Sequence, residues 1–424
     1  MAKPKLALIP ATIGTKLFSV LPSNGSGDFD FTRASAATRI NEDGFIETVA
    51  SGDSRLDYPL IDGVVNGCPS VLLEPQRTNL VTYSEDFSNA YWTKTGASVV
   101  SDAAISPDGS LNADKLVEDT TTGNHNISRT GGFFPIGTHT LSFYAKKGEN
   151  NYILFGNSSA NDLASFDLNT GSIFSTDVDL DNSSIESFPN GWYRCSITIT
   201  RITAANFGLY MSKDGSTRSY AGDGTSGVYI YGAQLEEGSY PTSYIPTNGT
   251  AVTRLAETAN GAGDASTFND SEGVFMVEIS ALANDGKNRD ISITDGTSSN
   301  VVTIRYTSTD NETRYKVKSG GTATVNDTII ISSATDFNKI AFKYKENDFA
   351  LWINGVEVAT DIIGATPIGL SELVFDDGDG ANDFYGKTKQ IQYFQIVLTD
   401  SELEELTSWD SFTAMAYGQL YTIK

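Results

Sequence analysis

The chain alternates apolar and polar residues in short runs, and turn residues cut each run off before a helical period can develop. Thr138–Tyr144 reads THTLSFY and stops at Lys147-Gly148, while Ala164–Leu168 stops at Asn169-Thr170-Gly171. Trp192–Thr200 follows the Asn190-Gly191 turn, and Phe207–Met211 and Val228–Tyr231 come after it. A period of two sends successive side chains to opposite faces of a strand. Strands at this spacing, with no helical pattern between them, predict a sandwich or jelly roll. Composition agrees: 39 Gly, only 4 Met and 19% charged residues are poor material for helices.

The strongest local signal lies further on. In KENDFALWINGVEVAT, Lys345–Thr360, the runs Phe349–Ile353 and Val356–Val358 flank Asn354-Gly355, a dipeptide that tolerates the positive φ angles of a two-residue hairpin turn. One short helix is expected at Thr399-Asp400-Ser401-Glu402, where Thr399 and Glu402 form a capping box with Leu398 and Leu403 in staple positions.

The predicted fold class is all-β: two β-sandwich (jelly-roll or concanavalin-like) domains preceded by a small irregular β N-terminal module. Residues 1–77 form the module, 78–250 the first sandwich, 251–268 a Gly-, Ala-, Thr- and Asn-rich linker, 269–410 the second sandwich and 411–424 a tail. The pieces between Asp28 and Val49 are too short to bury a core of their own, so the module must lean on something else.

With 29 basic against 53 acidic residues the formal charge is −24, which disfavours nucleic acid and anionic membranes as partners. Cys68 and Cys195 are too few for a disulfide framework or thiolate cluster. The start, MAKPKLALIPATIGTKLF, imitates a secretory signal, but Pro4 and Pro10 interrupt its apolar run. No stretch approaches the ~18 apolar residues that span a bilayer, so membrane insertion is not expected.

Three motif-like strings read as decoys or open alternatives. Gly222–Gly227 spells GxGxxG, but the strand Val228–Tyr231 follows where a dinucleotide site needs a helix. Gly380–Thr388 has one residue too many for a phosphate loop and also runs into a strand pattern. In FDDGDGANDFYG, Phe375–Gly386, Asp376, Asp377, Asp379 and Asp383 share one loop; bound calcium and a solvated acidic loop are the two readings. His125 and His139 are the only histidines, His139 inside a strand pattern, and no pair of carboxylates is singled out; the chain is read as non-enzymatic.

SVLLEPQRTNLVTYSEDFSN, Ser70–Asn89, and YGAQLEEGSYPTSYIPTNGT, Tyr231–Thr250, bracket the first sandwich. Together they resemble the opening and closing signatures of carbohydrate-binding-like jelly-roll modules in bacteriophage tail-fibre and head-fibre proteins. DFDFTRASAATRINEDGFIETV, Asp28–Val49, resembles the segment preceding such modules. The stretch from KENDFALWINGVEVAT to GKTKQIQYFQIVLTDSELEELTSW is similar to concanavalin-like, laminin-G-type lectin sandwiches. The resemblance implies a structural fibre or spike protein of a tailed phage virion, on head or tail, contributing to attachment to host cell-surface glycans. It also implies a homotrimer, capsid or tail proteins as partners, and a place on the virion surface after synthesis in the host cytoplasm and release by lysis. A bacterial surface adhesin and a polysaccharide-degrading tail spike are the alternatives.

Rings that stack on a sugar face are the glycan-contact candidates: Tyr91, Trp92, Tyr240 and Tyr244, whereas Trp192 and Trp352 lie within strands and read as core. Virion attachment is assigned to Lys3, Lys5, Leu6, Leu8, Ile9 and Lys16, the one locally basic segment. Its apolar run is expected to stay disordered or extended until a partner covers it, the alternative being an edge strand of the first module.

Overall fold

The computed structural model describes residues 2–157 and 162–409; the tail expected over 411–424 lies outside them. The expected strands form where the alternation places them, as Gly137–Lys147, Asp162–Asp167, Trp192–Arg201, Ala205–Ser212 and Gly227–Glu237. Among the described residues they fall into one eleven-stranded, two six-stranded and one five-stranded sheets, with short two-stranded ribbons between.

The two six-stranded sheets face each other and make the first sandwich. Alternate residues from both fill one core, with Leu141, Phe143, Cys195 and Ile197 from one sheet against Ile153, Phe155, Phe207 and Leu209 from the other. The rings of Phe143 and Phe207 stack across the gap with centroids 5.2 Å apart.

In the second sandwich the five-stranded sheet packs on the large sheet, Ile291, Ile293, Val302 and Ile304 meeting Phe275, Val277, Phe342 and Ile391. On the far side of the large sheet the helix Asp400–Ser408 lays Leu403 and Leu406 over Met276, Ala341 and Trp352. Its capping box is formed as expected, with Thr399 Oγ1 accepting from the Glu402 amide and the Glu402 carboxylate accepting from the Thr399 amide. The hairpin is also formed: Asn354 and Gly355 have φ of 50° and 85°, the positive values its turn demands.

The N-terminal run requires a correction. Leu6–Ile13 is neither waiting for a partner nor at an edge, for Lys16–Leu21 pairs with it on one side and Gly386–Phe394 on the other. Leu6 sits opposite Tyr393 and Leu8 opposite Ile391, and both leucines are fully buried. The strand Gly386–Phe394 has amides that need partners, and the apolar run satisfies them while burying its own surface. The second sandwich is therefore completed by residues from the opposite end of the chain.

Residues 251–268 run from one sandwich to the other and contribute strands as they go. Val252–Arg254 pairs with Arg77–Asn79, and Thr258–Asn260 pairs with Phe29–Thr32. The two bracketing strings thus lie side by side. Buried Asn79 stitches them: its Nδ2 donates to the carbonyls of Ala233 and Ile245, and its Oδ1 accepts from the amides of Val81 and Leu235.

Candidate functional site

The N-terminal module, both bracketing strings and the 251–268 segment meet at a buried ion cluster. Arg33 Nη1 lies 2.7 Å from Glu257, Arg55 Nη2 2.8 Å from Glu74, and Arg254 Nη1 2.7 Å from Glu74, while Arg55 also pairs with Glu257. Ser243 donates to Glu74 through its hydroxyl and its amide, at 2.6 and 2.8 Å. Burial works to raise the Glu74 carboxyl, but Arg254, Arg55 and the Ser243 donors outweigh it and hold the group well below the usual carboxylate range. Its carboxylates are saturated by donors from within, with Arg254 Nε the one buried cluster atom that finds no acceptor, so this cluster fixes the geometry of the junction.

Beside it, the surface between the sandwiches is indented by four recesses of about 410, 740, 280 and 330 Å³. They share walls and form one groove: Glu186 lines the first three, and Tyr240 with Asp285 joins the second to the fourth. One wall is the outer face of the strands Asn182–Phe188 and Trp192–Arg201. Alternation builds it, because Cys195, Ile197 and Ile199 point into the core and Arg194, Ser196, Thr198 and Thr200 point out. Hydroxyls pair across this face, Thr138 with Thr200 at 2.7 Å, Thr140 with Thr198 at 2.8 Å and Ser184 with Ser196 at 2.6 Å. The opposite wall carries Leu282–Asp285 and Lys387, and the closing string supplies Tyr240–Tyr244 between them.

Most groove charges are neutralised locally. Lys387 Nζ is 2.9 Å from Asp57, whose charge holds the ammonium above its ordinary value, and Arg289 pairs with Asp285 at 2.8 Å. Burial pushes the Tyr144 hydroxyl up to about 12, so it remains a neutral donor and acceptor. Glu186 is exposed on the wall, and its carboxylate makes no hydrogen bond to the described residues. A surface dense in hydroxyls, amides and paired charges, with ring edges at its floor, can exchange hydrogen bonds with a polyhydroxylated ligand.

The expected glycan contacts divide. Trp92 is 1% exposed and donates Nε1 to the Tyr83 carbonyl, and Tyr244 is 2% exposed and donates to Ser84 or Glu85. Both are corrected from sugar platforms to core, because each ring is enclosed by neighbouring rings and its polar tip is already spent. Tyr91 is half-buried, with the Arg129 guanidinium 4.0 Å over its ring, which occupies the face a sugar would take. Of the four, Tyr240 and Tyr244 border the groove, Tyr244 at the first recess with its hydroxyl already bonded inward and Tyr240 at the second and fourth, largely buried under Arg77. Trp192 and Trp352 are core, as read from the strands.

The acidic loop folds over the outer face of the five-stranded sheet. Asp376 accepts from the Gly378 amide, Asp377 from Asp379 and Ala381, Asp379 from Ser298, and Asp383 from the Tyr385 hydroxyl. Beneath it Arg305 pairs with Asp290. Among the described residues no group of three or more His, Cys, Asp or Glu is arranged to hold a metal ion. Gly222–Gly227 is a turn whose amides Asp223 caps, followed by a strand. His125 is buried, its two ring nitrogens facing the carbonyls of Gly96 and Tyr220. At the N-terminus Lys3 and Lys5 are exposed, Ile9 packs beside the helix cluster and Lys16 pairs with Asp30.

Sequence reasoning passed over Arg194, Glu186 and Lys387. The available signal was in WYRCSITIT, where one full charge interrupts the polar face of a strand that otherwise presents only hydroxyls there.

No family model matches the sequence, and no curated protein matches it. Among solved structures the chain is similar to the Ruminococcus gnavus IT-sialidase CBM40, at 17% identity over 34% of this chain and 92% of that one, with a TM-score of 0.30. It is similar also to mouse laminin alpha1 chain domains LG4-5, at 9% identity over 65% and 88%, TM-score 0.24. A third is the CBM22-1-CBM22-2 tandem of Paenibacillus barcinonensis Xyn10C, at 10% identity over 75% and 97%, TM-score 0.24. Likenesses this loose add nothing to the β-sandwich architecture that the strands and cores establish directly.

Proposed function

We propose that the protein is a glycan-binding protein and that the groove between its two sandwiches receives the sugar chain. The observation that carries the reading is the row of adjoining recesses between the sandwiches, two of them lined by Ser and Thr hydroxyls, with the closing string between the walls. Of its carboxylates, Asp57, Glu74, Asp285 and Asp383 are each engaged by a neighbouring donor and Glu186 stands without a second free carboxylate to pair with it in acid and base work, which fits binding better than glycoside cleavage. Affinity per groove is expected to be weak, since an open polar cleft desolvates few groups.

The resemblance of the bracketing strings extends this to a virion fibre or spike that presents several copies, so that avidity compensates for weak sites. A homotrimer is the assembly proposed. Retention of the full chain by glycan arrays and host cells tests the binding role; failure on both overturns it. Light scattering tests the assembly, and a monomer mass at moderate salt overturns the trimer. Shortening of host polysaccharide by the pure protein would replace the binding reading with the tail-spike enzyme. Recovery in purified virions separates the fibre from a bacterial adhesin.

A further inference from the structure

The recess of about 410 Å³ at the junction holds a cation that the protein leaves incompletely used. Arg194 is 6% exposed, yet among the described residues no carboxylate lies within ion-pair distance of it. Its guanidinium rests over the Tyr144 ring at 5.4 Å, and its only printed side-chain hydrogen bond goes from Nη2 to Ser142 Oγ at 3.1 Å. Nε is buried with no acceptor. Nη1 makes no hydrogen bond to the described residues and is not sealed off as Nε is. Burial works against its charge, but Tyr144, Glu186, Glu236 and Glu74 outweigh burial from a distance and hold the group above its ordinary value, so it stays a cation, and a carboxylate brought into direct contact would make a strong charge-assisted hydrogen bond with it.

We propose that this recess takes a carboxylate-bearing sugar unit of the bound glycan, with Arg194 as its anion anchor; the inference rests on the glycan-binding reading above. Tyr144 and Arg39 lie on the same lining, with Ser280 to meet ring hydroxyls. The volume falls in the range of small-molecule sites. Glu186 faces Arg194 across paired strands, and Asp57 and Glu74 border the recess. That acidic border favours a monoanion over a phosphate dianion, because the one guanidinium has no carboxylate in direct contact but is already balanced at a distance, and further negative charge meets Glu186, Asp57 and Glu74. The overall charge of −24 slows the approach of an acidic glycan. At physiological ionic strength it is screened beyond about 8 Å, so the local pairing decides affinity.

The test titrates the full chain with glucuronic acid, its methyl ester and glucose, followed by ligand-observed NMR. The expected result is millimolar binding of the acid and at least tenfold weaker binding of both neutral sugars. In Arg194→Met the acid should fall to the level of the ester, and in Arg194→Lys part of the preference should remain. The ester comparison needs no variant, so it decides the question even where Arg194→Met fails to fold. Equal binding of acid and ester by the wild-type chain overturns the acidic-sugar inference. Glycans retained on an array with no preference for acidic units overturn it while leaving the groove as a glycan site. Retention of no glycan at all removes the glycan-binding reading itself.

Discussion

Buried charge at the junction sets what single substitutions do. Glu257 is fully enclosed between Arg33 and Arg55, so Glu257→Gln leaves buried Arg33 without a carboxylate and Arg55 with Glu74 alone. Removing one partner of such a cluster costs about 3–5 kcal/mol, and a urea unfolding curve should show that loss. Acid acts on the same cluster. Glu74 has its folded pKa held below the ordinary value of 4.5, so the stability it contributes is present above that pH and is lost as pH falls toward the folded value. Glu74→Gln should be less stable at neutral pH and lose less stability on acidification. Asp114 has the opposite sign. Burial lifts it from 3.8 to about 6 although the Phe87 and Asp102 amides donate to it. Between those values the native state keeps a proton that the unfolded chain has released, so this group makes stability fall as pH rises through the window. Asp114→Asn should flatten that part of the urea midpoint against pH; an unchanged slope would show that Asp114 titrates normally.

Elements held by local rules were the most legible, and they are where small substitutions should behave simply. Gly355 needs positive φ, and a Cβ there would lie 2.5 Å from Ser408 Oγ in the helix that packs over the hairpin. Gly355→Ala should therefore lower stability by about 1 kcal/mol or more, read as a drop in Tm. Thr399→Ala removes the cap and should cost about 1 kcal/mol. The aromatic candidates were less legible for a physical reason. Tyr91-Trp92 and Tyr240-Pro241 sit in loop-like sequence, and sequence does not tell a loop that covers a core from one that faces solvent. Trp92 turned inward because Phe87, Phe143 and Phe207 offered a ring-lined cavity and the Tyr83 carbonyl took its N–H. Asp177, Asp179 and Asp181 alternate with Val178 and Leu180 as the edge of a strand would, yet the segment is a turn, with Val178 94% exposed.

For the whole molecule, the ends of the chain share one sheet. Deleting residues 1–20 removes the strand that pairs with Gly386–Phe394 and takes Leu6, Leu8 and Leu17 out of the second core. The truncated protein should lose the second sandwich's cooperative transition in calorimetry while the first sandwich, whose core contains none of these residues, keeps its own. Two unchanged transitions would mean that the N-terminal strand contributes little. The same connectivity ties the groove walls together: the 251–268 segment is paired at Val252–Arg254 and again at Thr258–Asn260 and anchored by Arg254 and Glu257.

By itself the sequence determined the all-β class, the hairpin at Asn354-Gly355, the capped helix and the strands of the first sandwich. Each of these is decided by period, turn chemistry or capping among residues close together in the chain. Only the tertiary structure decided that Leu6–Ile13 closes a sheet nearly four hundred residues away, since apolar alternation says that a strand will pair but not with which edge. Tertiary structure alone also decided the groove. Arg194, Glu186, Ser243 and Lys387 come from distant parts of the chain, and their unequal pairing, with Lys387 neutralised by Asp57 and Arg194 left without a carboxylate, arises from how two sandwiches lean together.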